Sequence, residues 1–312
     1  MYNTDAVEHT QHNEKNLPLH NIMKPCLYLG VIISIFLSHQ ILAQSHPDVV
    51  PDYASAGEYH IGVTTHVINE TDTFNPLTPT IKRDLLLEIW YPTPINSSTG
   101  TTYENVLRSG KPFSIDGIAS RDAPFDNTKA THLVVLSHGY TGYRTIMFHI
   151  AEHLASYGYV VVGIDHTDST NKDVDFGKAP FSGFISTLVN RSRDQQIVLE
   201  KFSQPAFISE LFGDKSEWAA EKAGLIGYSM GGYGAINTIG GCFNFPKSLI
   251  SNFINSKDST KINDFKKMVN TCSAGQDNNN FEVDPRWQAM IALAPWGGQH
   301  GVFSEEALSK IS

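Results

Sequence analysis

The sequence has little cysteine, no basic stripe, no visible internal repeat and no apolar run long enough to span a bilayer comfortably. Each shortage narrows what the chain can be. The formal net charge of -9 is spread thinly rather than gathered into patches, so nucleic acid is not an expected partner and the charge reads as solubility. The apolar run Cys26 to Leu37 falls short of the roughly 20 residues that a membrane helix needs. What remains, 312 residues of which 41% are hydrophobic and 18% charged, fits one sizeable globular domain with an ample core.

The amino terminus divides by charge and hydropathy. Residues 1–22 are polar and carry Asp5, Glu8 and Glu14 against Lys15, a poor start for an export signal, and they read as an upstream or non-native extension. Met23-Lys24-Pro25, the apolar run and Ile41-Leu42-Ala43 then supply the charged, apolar and cleavage regions of a signal peptide over 23–43. Cleavage before Gln44 predicts an exported protein, periplasmic or secreted, with no stable membrane span; a retained signal anchor is the alternative. Cleavage also removes Cys26 and leaves Cys242 and Cys272, which are expected to form one disulfide in an oxidising compartment, the alternative being two buried thiols.

Along the mature chain 44–312, Tyr59 to Ile68 and Arg83 to Pro92 read as an antiparallel strand pair at a sheet edge. Ile95 to Ala130 reads as loop, punctuated by Gly, Ser, Pro and Asp. From Thr131 strands and helices alternate. His132 to Gly139 and Tyr159 to Asp165 are expected as buried parallel strands, with helices over Arg144 to Tyr157 and Arg191 to Phe202. Ala223 to Ser229 is a strand, Tyr233 to Ile239 a helix, and Ala289 to Pro295 one more buried strand. This alternation predicts a doubly wound, mainly parallel α/β sheet. The polar, asparagine-rich insertion 242–285 is either a lid or a surface excursion.

The chemistry centres on Gly227-Tyr228-Ser229-Met230-Gly231, placed between a strand and a helix. In a Gly-x-Ser-x-Gly elbow the glycines allow strand and helix to approach, and the serine takes a strained conformation that lifts its Oγ clear of the sheet. A serine nucleophile needs a base, a carboxylate behind the base and donors for the developing oxyanion. The backbone N–H of Met230 is one expected donor, and Ser137-His138-Gly139-Tyr140-Thr141-Gly142 places the N–H of Tyr140 as the second.

The stretches Leu136 to Thr145, Ala155 to His166, Arg191 to Asp194 and Gly227 to Gly232 resemble the α/β-hydrolases grouped around platelet-activating-factor acetylhydrolases, dienelactone-hydrolase-like esterases and bacterial polyester hydrolases. Glu88 to Pro92 and Ala294-Pro295-Trp296 are similar to that group as well. The resemblance spans about Tyr59 to Trp296. It implies an α/β-hydrolase fold, Ser229 as nucleophile, Tyr140 and Met230 as oxyanion donors, and Trp296 lining the acyl pocket. The substrate it implies is a small-molecule, lipid or polymer ester, cleaved without metal or organic cofactor. In that family the acid follows the strand after Ala289–Pro295 and the histidine follows the next strand. Neither position occurs before Ser312, so the sequence reads as a hydrolase lacking its last strands and catalytically impaired. His300, after Ser229, stands where the family has no base, and Asp284 and Glu305 are acids near it only in sequence.

Two readings from other classes accompany the esterase. His149-Ile-Ala-Glu152-His153 fits a helical zinc-hydrolase pattern, against the plainer reading of an amphipathic helix with polar histidines. A hydrolase-like scaffold without its base would be a non-catalytic binding protein. His166 and Asp168 read as cleft rim or loop caps, and Arg191 with Asp194 as a structural polar pair on a helix. Asn190-Arg-Ser192 is one of three glycosylation sequons.

Overall fold

Alternating apolar residues of four short runs build the centre of the molecule. The computed structural model describes residues 54–69, 73–80, 82–96, 99–213, 218–303, 305–309 and 311. The expected extension 1–22 and the expected signal peptide 23–43 lie outside them. The fold is that of the unit Ala56–Ser312. Strand β6 (Leu133–Ser137) lies between two parallel neighbours, β7 (Val160–Asp165) and β8 (Ala223–Tyr228), and β11 (Trp287–Leu293) runs parallel to β8. β2 (Leu85–Thr93) is antiparallel to both β7 and β1 (His60–Ile68), and the two-residue β5 (Ser120–Arg121) closes that end, giving the order β11-β8-β6-β7-β2-β1-β5.

Because side chains alternate along a strand, each central strand feeds two cores. Leu133 and Val135 of β6 join Leu87, Ile89, Val160 and Val162 on one face, where Val198, Leu199 and Phe202 cover them. Val134 and Leu136 join Trp90 and Val161 on the other, under Ala151 and Ala155. The covering helices are α1 (Phe148–Ser156) on the second face and α2 (Phe184–Phe202) on the first, with α3 (Pro205–Phe212) beside α2. This is the continuous apolar pattern expected of parallel strands buried on both sides.

Three sequence expectations need correction. Ile95 to Ala130 contains a hairpin, β3 (Thr102–Val106) with β4 (Pro112–Asp116), turned at Gly110 in a positive-φ conformation. Its inward side chains are Tyr103 and Asn105, and a buried asparagine hides the apolar alternation. The helix expected from Arg144 begins only at Phe148, because Arg144 donates its N–H to Asp165 Oδ1 and its guanidinium to Glu88 and Asp165. β11 is not a buried strand. It has β8 on one side only, and Ile291 and Leu293 are 52% and 39% exposed. Ile291 and Ala289 line an apolar groove of about 320 Å³ with Leu154 and Tyr159.

Insertion 242–285 folds as α5 (Lys247–Phe253) and α6 (Ser259–Val269) with a two-residue antiparallel ladder between β9 (Thr271–Cys272) and β10 (Gln276–Asp277). Ile250, Ile262 and Phe265 pack with Tyr233 and Phe243, and a Cys242–Cys272 disulfide ties the base of the excursion. No helix among the described residues is long and apolar enough to cross a membrane.

Candidate functional site

β8 ends at Tyr228 and helix α4 (Met230–Thr238) begins at Met230, leaving Ser229 alone between them at φ 52° and ψ -113°. A positive φ is costly for any residue bearing a Cβ, by about 1–3 kcal/mol, and it persists only where surrounding contacts enforce it. Those contacts are backbone bonds. Ser229 N–H donates to Leu293 O at 2.9 Å, and Ser229 O accepts from the N–H groups of Tyr233 at 3.0 Å and Trp296 at 3.1 Å. The flanking glycines are sterically required: a Cβ on Gly227 would lie 2.3 Å from Gly231 O, and one on Gly231 would lie 1.9 Å from Ser137 O.

The loop after β6 closes over the serine. A Cβ on Gly139 would stand 3.0 Å from Ser229 Cβ and 3.5 Å from its Oγ, so Tyr140 follows a residue in contact with the elbow. The Tyr140 hydroxyl accepts from Gly183 N–H and its carbonyl from Arg108, while its ring meets Phe184 at 5.4 Å. Trp296 contacts Phe184 at 5.4 Å and Tyr233 at 5.5 Å between ring centroids. Ser229, Met230, Tyr140 and Trp296 are therefore gathered at the carboxyl ends of β6, β8 and β11. Phe184 joins them from the first turn of α2, two turns of which the sequence pattern did not indicate.

Other candidates fall elsewhere. His300 is exposed, lies tilted against Trp296 with ring centroids 5.1 Å apart, and forms no hydrogen bond with Ser229; among the described residues no histidine does. Asp284 is bonded to Arg286 and Gln196, and the Arg286 guanidinium holds its carboxyl at about 2. It precedes β11, whose opposite end reaches Ser229, a strand length of roughly 20 Å away. Glu305 is an exposed residue opening a short helix. The zinc pattern does not converge: His149 is exposed, whereas Glu152 is buried and its Oε1 accepts from Tyr103 Oη, Ile118 N–H and Ala119 N–H. Among the described residues no cluster of His, Cys, Asp or Glu could hold a metal.

Beneath the loop lies a polar cluster that the sequence shows only in fragments. Asp194 does pair with an arginine, but with Arg83 at 2.9 Å, and the same oxygen accepts from His166 Nδ1 at 2.9 Å. Arg191 instead donates to Ser169 Oγ. His166 is 2% exposed, so it is not part of the rim, and Asn190 is buried within α2, which closes that sequon to a glycan. Burial, with Arg191 nearby, holds both His138 and His166 well below the ordinary 6.5. His166 also faces Arg83, and the two imidazoles face each other. The unfolded chain takes up two protons below about pH 6.5 that the native state refuses, so stability falls as pH falls. Between pH 7.0 and 5.5 the loss is expected to be about 2 kcal/mol, measured as a drop in unfolding free energy by urea titration. A flat profile over that window would contradict the neutral, buried state of both rings.

The family model for platelet-activating factor acetylhydrolase, isoform II, matches residues 99–181, a stretch holding the hairpin, the Tyr140 loop and β7 but not Ser229. Among solved structures, a ferulic acid esterase from Streptomyces cinnamoneus is similar over 59% of this chain and 56% of its own, at 22% identity and a TM-score of 0.42. The chain thus matches a little over half the length of that relative. No curated protein matches the sequence. The mainly parallel sheet, its flanking helices and the strand-serine-helix elbow make this an α/β-hydrolase fold, and over residues 99–181 the chain is similar to the acetylhydrolase family.

Proposed function

We propose that this α/β-hydrolase-fold protein is a carboxylic ester hydrolase that works through an acyl-enzyme at Ser229. The observation that carries the reading is the positive-φ serine at the tip between β8 and α4, with Gly139 against it. Ser229 Oγ attacks the ester carbonyl, and the resulting oxyanion is received by the N–H groups of Met230 and Tyr140. Collapse breaks the ester C–O bond, the leaving oxygen takes up the proton that Oγ gave up and departs as the alcohol, and the acyl group left on Oγ is then hydrolysed by water. Tyr140, Phe184 and Trp296 supply an aromatic wall, which suits an apolar acyl or aryl group. Neither metal nor organic cofactor enters these steps.

The nucleophile requires a base. That no described histidine hydrogen-bonds Ser229 favours the second reading, a binding protein on the same scaffold. An alkyl fluorophosphonate separates them. Stoichiometric label mapped by peptide mass spectrometry to Ser229 supports the esterase, and no label on the native protein supports the binder. Export is part of the proposal, supported by the signal-like 23–43 and by the Cys242–Cys272 disulfide, a bond that persists in oxidising compartments.

A further inference from the structure

Ser137, the last residue of β6, is fully buried and takes part in a chain of hydrogen bonds with the composition of a catalytic triad. Its Oγ lies 2.8 Å from His166 Nε2, and His166 Nδ1 lies 2.9 Å from Asp194 Oδ2. The Asp194 carboxylate accepts a hydrogen bond from Nδ1–H, so Nε2 of the neutral ring is the acceptor and Ser137 the donor. With Ser137 at 0% and His166 at 2% exposure, no substrate reaches this serine. The chain must act on its surroundings instead.

Gln195 connects it to the elbow. Its Nε2 donates both to Ser137 Oγ at 2.9 Å and to Gly231 O at 3.0 Å, in the first turn of α4. A carbonyl oxygen only accepts, so Gly231 fixes which end of the amide faces inward. The other end, Oε1, accepts from Thr238 Oγ1 at 2.6 Å. His166 holds the same loop a second time: its backbone N–H donates to His138 Nε2, and His138 Nδ1 donates to Gly139 O at 2.6 Å. One amide therefore ties β6, three residues before Tyr140, to the residue immediately after Met230.

We infer that Gln195, oriented by Thr238 and sharing Ser137 with the Asp194–His166 pair, is a positioning residue that sets the separation of the two oxyanion donors, Tyr140 N–H and Met230 N–H. The inference rests on the esterase reading for its catalytic consequence and on the hydrogen bonds alone for its geometric one. A pair of hydroxyl variants tests it without touching the loop. Thr238→Val removes the donor to Oε1 and leaves that buried oxygen unpaired, which loosens the amide, whereas Thr238→Ser keeps the donor. The limiting rate of fluorophosphonate attachment to Ser229 and the half-saturating probe concentration are measured separately, with backbone hydrogen exchange of segments 138–145 and 229–234.

Thr238→Val is expected to lower the limiting rate about thirtyfold, less than the hundredfold or more of a deleted donor, with half-saturation within about twofold. Exchange should accelerate in both segments, and Thr238→Ser should stay near the native values. Gln195→Leu should reproduce the valine variant. A Thr238→Val rate within about twofold of native, or a serine variant as slow as the valine one, overturns the inference. If the native protein takes no label, the esterase reading falls and exchange alone decides the tie: faster exchange confined to the two segments upholds it, and unchanged exchange there overturns it.

Discussion

Ser229→Gly is expected to abolish ester hydrolysis and at the same time to stabilise the protein. The two effects have one cause. At φ 52° and ψ -113° the serine carries a Cβ in a conformation that glycine adopts freely, so removing the side chain relieves strain of about 1 kcal/mol or more. The gain is partly offset by the greater freedom of glycine in the unfolded chain, which makes Ser229→Ala the necessary control. Alanine keeps the Cβ and the strain, and should leave stability within about 0.5 kcal/mol of native. Both variants lose the attacking oxygen, and turnover of a p-nitrophenyl ester should fall by at least about a thousandfold, to what the oxyanion donors and binding alone provide. Equal unfolding free energies for the glycine and alanine variants would mean that the elbow stores no strain. Undiminished turnover in either variant would remove Ser229 from the chemistry.

The elbow was legible because its conformational demand is written in local residue types. A turn that excludes Cβ atoms at Gly227 and Gly231 requires glycine at both positions, the first still in the strand and the second already in the helix. The central strands were legible for a similar reason, since β6 and β7 are buried on both faces and read as unbroken apolar runs. β11 has the same composition and a different fate. An apolar run reports that a strand can be buried, not how many neighbours it has, and Ile291 and Leu293 face outward at the end of the sheet. The hairpin at Thr102–Asp116 escaped because one of its inward residues is Asn105, whose amide oxygen accepts from Thr145. Satisfied buried polar groups break hydropathy patterns, and the pattern carries no record of a partner forty residues away.

The same limit explains the polar cluster under the loop. Arg83 and Asp194 are 111 residues apart, and Gln195 and Thr238 are 43 apart. Periodicity has nothing to say about contacts at such separations. Only Arg191 with Asp194 stood out, as neighbours on one helix, and the pairing proved to be with other partners. The site's nucleophile is thus a local feature of sequence, whereas the groups that hold its surroundings are a property of the assembled sheet.

That dependence makes Asp194 the residue whose loss should cost the fold most. Its carboxylate oxygen Oδ2 serves Arg83 Nη2 and His166 Nδ1, each at 2.9 Å, and both Arg83 and Asp194 are 3% exposed. Arg191, 1% exposed and with Nε and Nη1 lacking partners, draws further on the same negative charge; burial brings its guanidinium down to about 9. Asp194→Ala leaves Arg191 enclosed without its counter-charge and Arg83 with only the half-exposed carboxylate of Asp168, 3.5 Å from its Nη1. Breaking a buried pair by removing one partner typically costs 3–5 kcal/mol, because the stranded charge remains desolvated. A loss of about that size is expected in the urea unfolding free energy, a large share of the 5–15 kcal/mol that a domain has in hand. Arg83→Met should be costly alone, but less than additive when combined with Asp194→Ala, with a coupling of about 1–3 kcal/mol in the double-mutant cycle. Additive costs would mean that the two charges do not support each other. An Asp194→Ala loss below about 1 kcal/mol would mean that water already reaches the cluster, and the account of its buried histidines would fall with it.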